Sequence, residues 1–170
     1  MAKFFIVIDM QNDFVTGSLA NPAAAKTIPF IKEQIQRYKE KGYQVVFTRD
    51  THYENYMETG EGKHLPVKHC VKDTKGWYVV DELLDDYDEN VIFIDKTHFG
   101  YDGWKNYIKP GDEVVICGTV GSICVAANVS MLKAIENVEV TVLKDGVSDL
   151  SDEMKDAALK VMAAQQAKII

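Results

Sequence analysis

Five short apolar runs recur along the chain, at residues 3–9, 44–50, 90–96, 113–118 and 138–145. Each is close to continuously hydrophobic instead of alternating. A strand with apolar side chains on both faces must be covered on both, and that is the condition of a parallel sheet between two helical layers. The intervening stretches supply the helices. Residues 22–41 carry Ile28, Ile31, Ile35 and Tyr38 at helical spacing, with Gly42 as a C-terminal stop. Residues 122–135 and 151–166 read the same way, the second opening on Ser151 with Glu153 in its first turn. Strand and helix in alternation imply right-handed crossovers. The expected fold class is therefore α/β, a doubly wound, mainly parallel sheet with helices on both faces.

A length of 170 residues, 46% of them hydrophobic, suits one domain spanning 1–170 with its own core. A net charge of −7 and the lack of a basic stripe argue against nucleic acid as a partner. The apolar run after Met1 is too short to span a membrane and lacks a signal-peptide cleavage site, so no membrane partner is expected. Cys70, Cys117 and Cys124 are odd in number and share no metal-type spacing, which fits a reducing cytoplasm better than a disulfide framework.

In a doubly wound sheet the ligand crevice lies outside the carboxyl ends of the strands. Asp9, Asp50, Lys96 and Gly118 all close expected strands. No G-x-G-x-x-G follows the first run, which argues against a dinucleotide site. Cys124 follows the run EVVICG and the turn TVGS, in the first turn of the next helix, where free amides and the macrodipole favour a thiolate. Cys117, inside a strand, reads as inert core. Asp9 is placed to take a proton and Lys96 to supply a cation, although a turn aspartate and a surface lysine are the commoner fates of such residues. Convergence of a nucleophile, a base and a cation on one sheet edge favours the catalytic reading.

The weakly periodic segment 51–78 is long enough to expect a functional loop. Asp50 and His52 at its start and His69 within it supply one carboxylate and two imidazoles, a mixture that suits zinc, iron or manganese. Glu58, Glu61 and His64 compete as a further ligand, with Glu61 favoured. The alternative is that the histidines are loop residues and Asp50 caps a turn. His98 reads as a rim residue.

The opening IDMQNDF, the segments TRDTH, LPVKHCVKDTKGW and DKTHFGYD, and the turn GTVGSICV together resemble the isochorismatase-like cysteine hydrolases, which include the nicotinamidases. The resemblance covers essentially the whole chain. It implies a catalytic triad of Asp9, Lys96 and Cys124, a cis peptide joining Thr119 to Val120, and an oxyanion hole from the amides of Val120 and Cys124. It implies a divalent metal, zinc favoured, on Asp50, His52 and His69, with Phe14 as an aromatic substrate contact. Hydrolysis of a small amide through a thioester follows, nicotinamide being favoured, with a homo-oligomer as the expected assembly. Two departures stand out. The block PVKHC is one residue longer than the family's Pro-x-His-Cys, and Leu65 and Pro66 stand where a second aromatic, a Trp, is expected. Trp77, Phe99, Tyr101 and Trp104 are the available replacements. A metal-free amidase or carbamoyl hydrolase, or a silent binding module, are the competing readings.

Overall fold

The computed structural model describes residues 1–85 and 90–170. In chain order the regular elements are β1 (Lys3–Ile8), α1 (Asn12–Val15), α2 (Pro22–Glu40), β2 (Gln44–Asp50), α3 (Gly60–His64), β3 (Ile92–Lys96), β4 (Glu113–Gly118), α4 (Ala126–Lys133), β5 (Glu139–Val147), α5 (Asp152–Ala164) and β6 (Lys168–Ile169). The sheet order is β3-β2-β1-β4-β5-β6 and every pairing is parallel. From β1 the chain winds outward through β2 to β3, then crosses to β4 and winds outward on the other side. The switch point therefore lies between β1 and β4, where a crevice opens beyond the strand ends.

The apolar runs bury both faces, as expected. On one face Phe5, Val7, Val45, Phe47 and Val115 pack against Ile31, Ile35 and Tyr38 of α2. On the other, Ile6, Ile8, Ile116, Val140 and Val142 meet Val129 and Leu132 of α4 and Met162 of α5. Asn21 caps α2 by accepting from the Ala23 amide, and Gly42, at φ 78°, ends it with its amide on the Lys39 carbonyl. The left-handed conformation there is the usual glycine stop. Ser151 caps α5 by accepting from the Met154 amide.

Three local expectations are corrected. A sixth strand, β6, adds two residues to the edge beside β5, too short a run to have registered as a strand. The expected helix 122–135 begins instead as a π-helical turn over Gly121–Val125, in which the Val125 amide reaches back to the Val120 carbonyl at 3.1 Å, and α4 follows. The segment 51–78 is not structureless: it holds a 3₁₀ turn at Tyr56–Glu58 and α3.

Candidate active site

Asp9 lies one residue past β1, Lys96 ends β3, and Cys124 sits in the π-helical turn after β4. Gly118 lets β1 and β4 close together at this point: at φ 121° a Cβ there would lie 2.2 Å from the Ile8 carbonyl oxygen. Asp9 has φ 50°, a left-handed conformation that asparagine and aspartate tolerate better than other side chains. Its Oδ1 accepts from the Thr48 hydroxyl at 2.7 Å, and its Oδ2 is 2.6 Å from Lys96 Nζ. Lys96 Nζ is in turn 3.7 Å from Cys124 Sγ, 3.6 Å from Asp50 Oδ1, and donates to the His98 carbonyl at 3.1 Å. The Thr119–Val120 peptide bond is cis, as expected from the resemblance.

All three groups are buried, and burial works against the charged form of each. It raises the Asp9 carboxyl above its ordinary value, against the lowering effect of Lys96. It would lower Lys96, but Asp9, Cys124 and Asp50 more than compensate and keep the ammonium charged. The Cys124 thiol is pushed well up by burial and by the Asp9 charge, with Lys96 opposing. Both effects act against the thiolate that the start of a helix would favour. Asp149, itself buried, accepts from the Ser122 amide at 2.6 Å and from the Ser122 hydroxyl at 2.7 Å, so a carboxylate already occupies the start of the turn. Burial and the Asp9 charge thus favour the thiol form of Cys124, next to a carboxylate placed to accept its proton.

Next to this triad, Asp50, His52, Glu61 and His69 bring one ligand atom each within 4.8 Å of one another. Asp50 Oδ2 is 2.9 Å from His52 Nε2 and 3.4 Å from His69 Nε2, and Glu61 Oε1 is 3.6 Å from both imidazoles. His69 Nδ1 is 2.8 Å from the Val67 carbonyl, which as an acceptor takes the ring proton there and leaves Nε2 facing the cluster with a lone pair. Of the three competing further ligands, Glu61 is the one present. Glu58 is exposed, and His64 pairs its Nδ1 with the Gly60 carbonyl.

The donor set fits a divalent cation on charge as well as geometry. Lys96 offsets Asp9, which leaves two carboxylates, Asp50 and Glu61, beside two imidazoles, a donor set of the kind that holds a divalent transition metal. Asp50 Oδ1 is moreover a buried oxygen with no hydrogen-bond partner among the described residues. With no cation bound, these two carboxylates favour a proton on His69. Burial would lower His69, yet hydrogen bonds to Asp50 and Glu61 raise it to about 10. Burial would raise Asp50, yet the two histidines and Lys96 hold it below the usual carboxylate range.

Cys124 and three of the four clustered donors, Asp50, Glu61 and His69, line one pocket of about 360 Å³. Its other walls are mostly apolar: Phe14, Leu19, Leu65, Phe99, Ile123 and Leu150. Phe14 lines this pocket, its ring centroid 5.6 Å from that of His69. Of the four replacement aromatics only Phe99 lines this pocket. Trp77 is buried under Arg49, with Nε1 donating to Thr51 Oγ1. Trp104 donates to Asn128 Oδ1, and Tyr101 packs edge-on against it. Leu65 occupies the wall where the resemblance implies a Trp.

Several supporting residues escaped sequence reasoning. Gln11 is fully buried and binds the backbone of Asp50 twice, accepting from its amide at 2.7 Å and donating to its carbonyl at 2.8 Å, while also donating to the Trp77 carbonyl. It ties the end of β1 to the end of β2. Asp13 accepts from the Cys70 amide at 2.8 Å and so fixes the residue after His69. A buried glutamine two residues after Asp9 in IDMQNDF could have been suspected. Nothing in the local sequence marks Asp149.

The chain belongs to the isochorismatase family: the isochorismatase domain model matches residues 3–170. Among solved structures it resembles a pyrazinamidase of Pyrococcus horikoshii in complex with zinc, at 32% identity and a TM-score of 0.84, covering 100% of this chain and 99% of that one. It also resembles a pyrazinamidase/nicotinamidase from Streptococcus mutans, at 26% identity and a TM-score of 0.85 over 99% of this chain and 100% of that one. A nicotinamidase of Saccharomyces cerevisiae is 29% identical over 197 residues, 89% of this chain and 90% of that protein. Among the described residues no helix is long and apolar enough to cross a membrane.

Proposed function

We propose that this protein is a metal-assisted cysteine amidohydrolase that converts a small aromatic carboxamide, nicotinamide foremost, to the acid and ammonia. The observation that carries the reading is the chain of contacts from Asp9 through Lys96 to Cys124, which lines an apolar pocket together with three of the four clustered donors, Asp50, Glu61 and His69. Similarity to pyrazinamidases and nicotinamidases supports the substrate class.

In this mechanism Asp9 takes the proton from Cys124 Sγ as the sulfur bonds to the amide carbon. Lys96 balances the charge that moves from carboxylate to sulfur. The amides of Val120 and Cys124 receive the carbonyl oxygen as it becomes anionic. On collapse the C–N bond breaks, and the nitrogen leaves as ammonia with the proton that Asp9 held. Asp9 then takes a proton from water, whose oxygen attacks the thioester. The C–S bond breaks, the acid departs, and the proton returns to sulfur. A divalent ion, zinc by preference, held by Asp50, His52, Glu61 and His69 would supply a Lewis acid at the pocket wall to orient a heteroaromatic nitrogen. Phe14 would lie against the ring.

The reading includes a single domain acting as a homo-oligomer in the cytoplasm, and sedimentation at micromolar concentration tests the assembly. Ammonia release from a panel of nicotinamide, pyrazinamide, benzamide and N-carbamoyl amino acids, with metal content measured on the same preparation, tests the chemistry. Release from the heteroaromatic amides ahead of benzamide is expected. No release from any of them would sink the assignment.

A further inference from the structure

The four metal donors are divided between two cavities. Asp50 and His69 line the pocket that holds Cys124, His52 lines a second cavity of about 360 Å³, and Glu61 lines both. The second cavity lies between the start of the 51–78 segment and the residues just past β3. Its walls include Thr51, Asn55, Tyr56, Thr59, Thr97 and His98; most of its surface is carbon, but among the described residues no aliphatic side chain contributes to it. The Cys124 pocket, by contrast, has leucine, isoleucine and phenylalanine walls. A hydrated divalent cation sheds water reluctantly, and the hydroxyl, amide and imidazole groups set among the tyrosine rings of this cavity can replace that water stepwise, which leucine, isoleucine and phenylalanine side chains have no atoms to do. His98 is exposed there, with its Nδ1 3.0 Å from Thr97 Oγ1, and it offers an imidazole ahead of His52.

We propose that this second cavity is the route by which the divalent cation enters and leaves the quartet, so that metal exchange and substrate traffic use different openings of the site. The proposal rests on the metal reading given above. It means that a substrate or acyl group in the Cys124 pocket, although it covers Asp50 and His69, does not lock the ion in. It also means that bulk placed in the second cavity slows exchange in both directions while leaving metal affinity unchanged, because a passage residue changes a barrier and not the bound state.

Asn55 is the site for such bulk. It is exposed, precedes the 3₁₀ turn at Tyr56–Glu58, and makes no side-chain capping bond there. The protein is loaded with zinc, one bound equivalent is verified, and release into excess 4-(2-pyridylazo)resorcinol is followed by absorbance. Three samples are compared with the parent: Asn55→Trp, Leu150→Trp in the wall of the other pocket, and parent alkylated at Cys124 with N-phenylmaleimide. Asn55→Trp should release and take up zinc about tenfold more slowly at unchanged equilibrium affinity. Leu150→Trp and the alkylated parent should release at the parent rate. Parent-rate release from a folded Asn55→Trp would overturn the proposal. Slow release from the alkylated parent would overturn it too, and that measurement needs no folded variant. A parent that takes up no zinc removes the metal reading and the route together, whereas one equivalent of zinc gated at Cys124 removes the route alone.

Discussion

The triad and the metal quartet adjoin, yet they are built differently. Asp9, Lys96 and Cys124 stand at or just beyond the ends of three parallel strands whose ladders fix their relative positions: Asp50 pairs with Lys96, and Ile8 with Gly118. Of the quartet only Asp50 is on a strand. His52, Glu61 and His69 come from a segment held by scattered ties, including the His52 amide on the Cys70 carbonyl, the Tyr56 hydroxyl on the Leu65 carbonyl, and the Cys70 amide on Asp13. The difference teaches that chemistry and ligand orientation are separable here, since one rests on the sheet and the other on a loop. Asp50 is the joint between them, touching Lys96 with one oxygen and both imidazoles with the other.

The largest expected effect breaks the triad and spares the quartet. Cys124→Ala should lower ammonia release by about 10⁴-fold or more while zinc content stays at the parent level. Asp9→Asn should abolish the acylation burst in single turnover, and a normal burst would remove Asp9 as the base. The converse comes next. His52→Ala and His69→Ala should each weaken zinc binding by about 100-fold or more, with Cys124 alkylation changed by less than about threefold. A large loss of alkylation would mean that the two regions are not separable.

Gln11→Ala should move both regions at once. It leaves the buried Asp50 amide and carbonyl without partners and should cost about 2–3 kcal/mol in urea unfolding. A loss confined to zinc affinity would place Gln11 with the loop instead of at the joint. The smallest effect is a difference in pH dependence. In chelated protein the folded His69 titrates at about 10, above its ordinary 6.5. Its stabilisation is then complete below about pH 6.5 and lost as pH rises through about 10. Zinc displaces that proton, so the zinc-loaded protein should lack this alkaline decline. Thermal melts of both forms from pH 6 to 10 measure the contrast.

Much of this was legible because it depends on local pattern. Continuous apolar runs mark strands covered on both faces, and strand ends mark the crevice, so Asp9, Asp50, Lys96 and the Cys124 turn could be named before any coordinates. The motif resemblance added the cis Thr119–Val120 bond and Phe14, and supported the metal donors that residue type had already suggested. The metal cluster was harder to read, because segment 51–78 has no periodicity to fix which of Glu58, Glu61 and His64 turns inward. That depends on α3 and its Thr59 cap, whose hydroxyl accepts from the Gly62 amide at 3.0 Å.

The sequence alone determined the layers, the parallel sheet and the residues at its carboxyl edge, since hydrophobic period and strand length are properties of contiguous residues. Tertiary structure alone decided the burial that raises the Cys124 thiol, the choice of Glu61, the clamps made by Gln11 and Asp149, and the division of the donors between two cavities. Each of these depends on groups far apart in the chain, Asp149 with Ser122 or Gln11 with Asp50. Burial and charge at such a meeting point belong to the packed arrangement and not to either segment by itself.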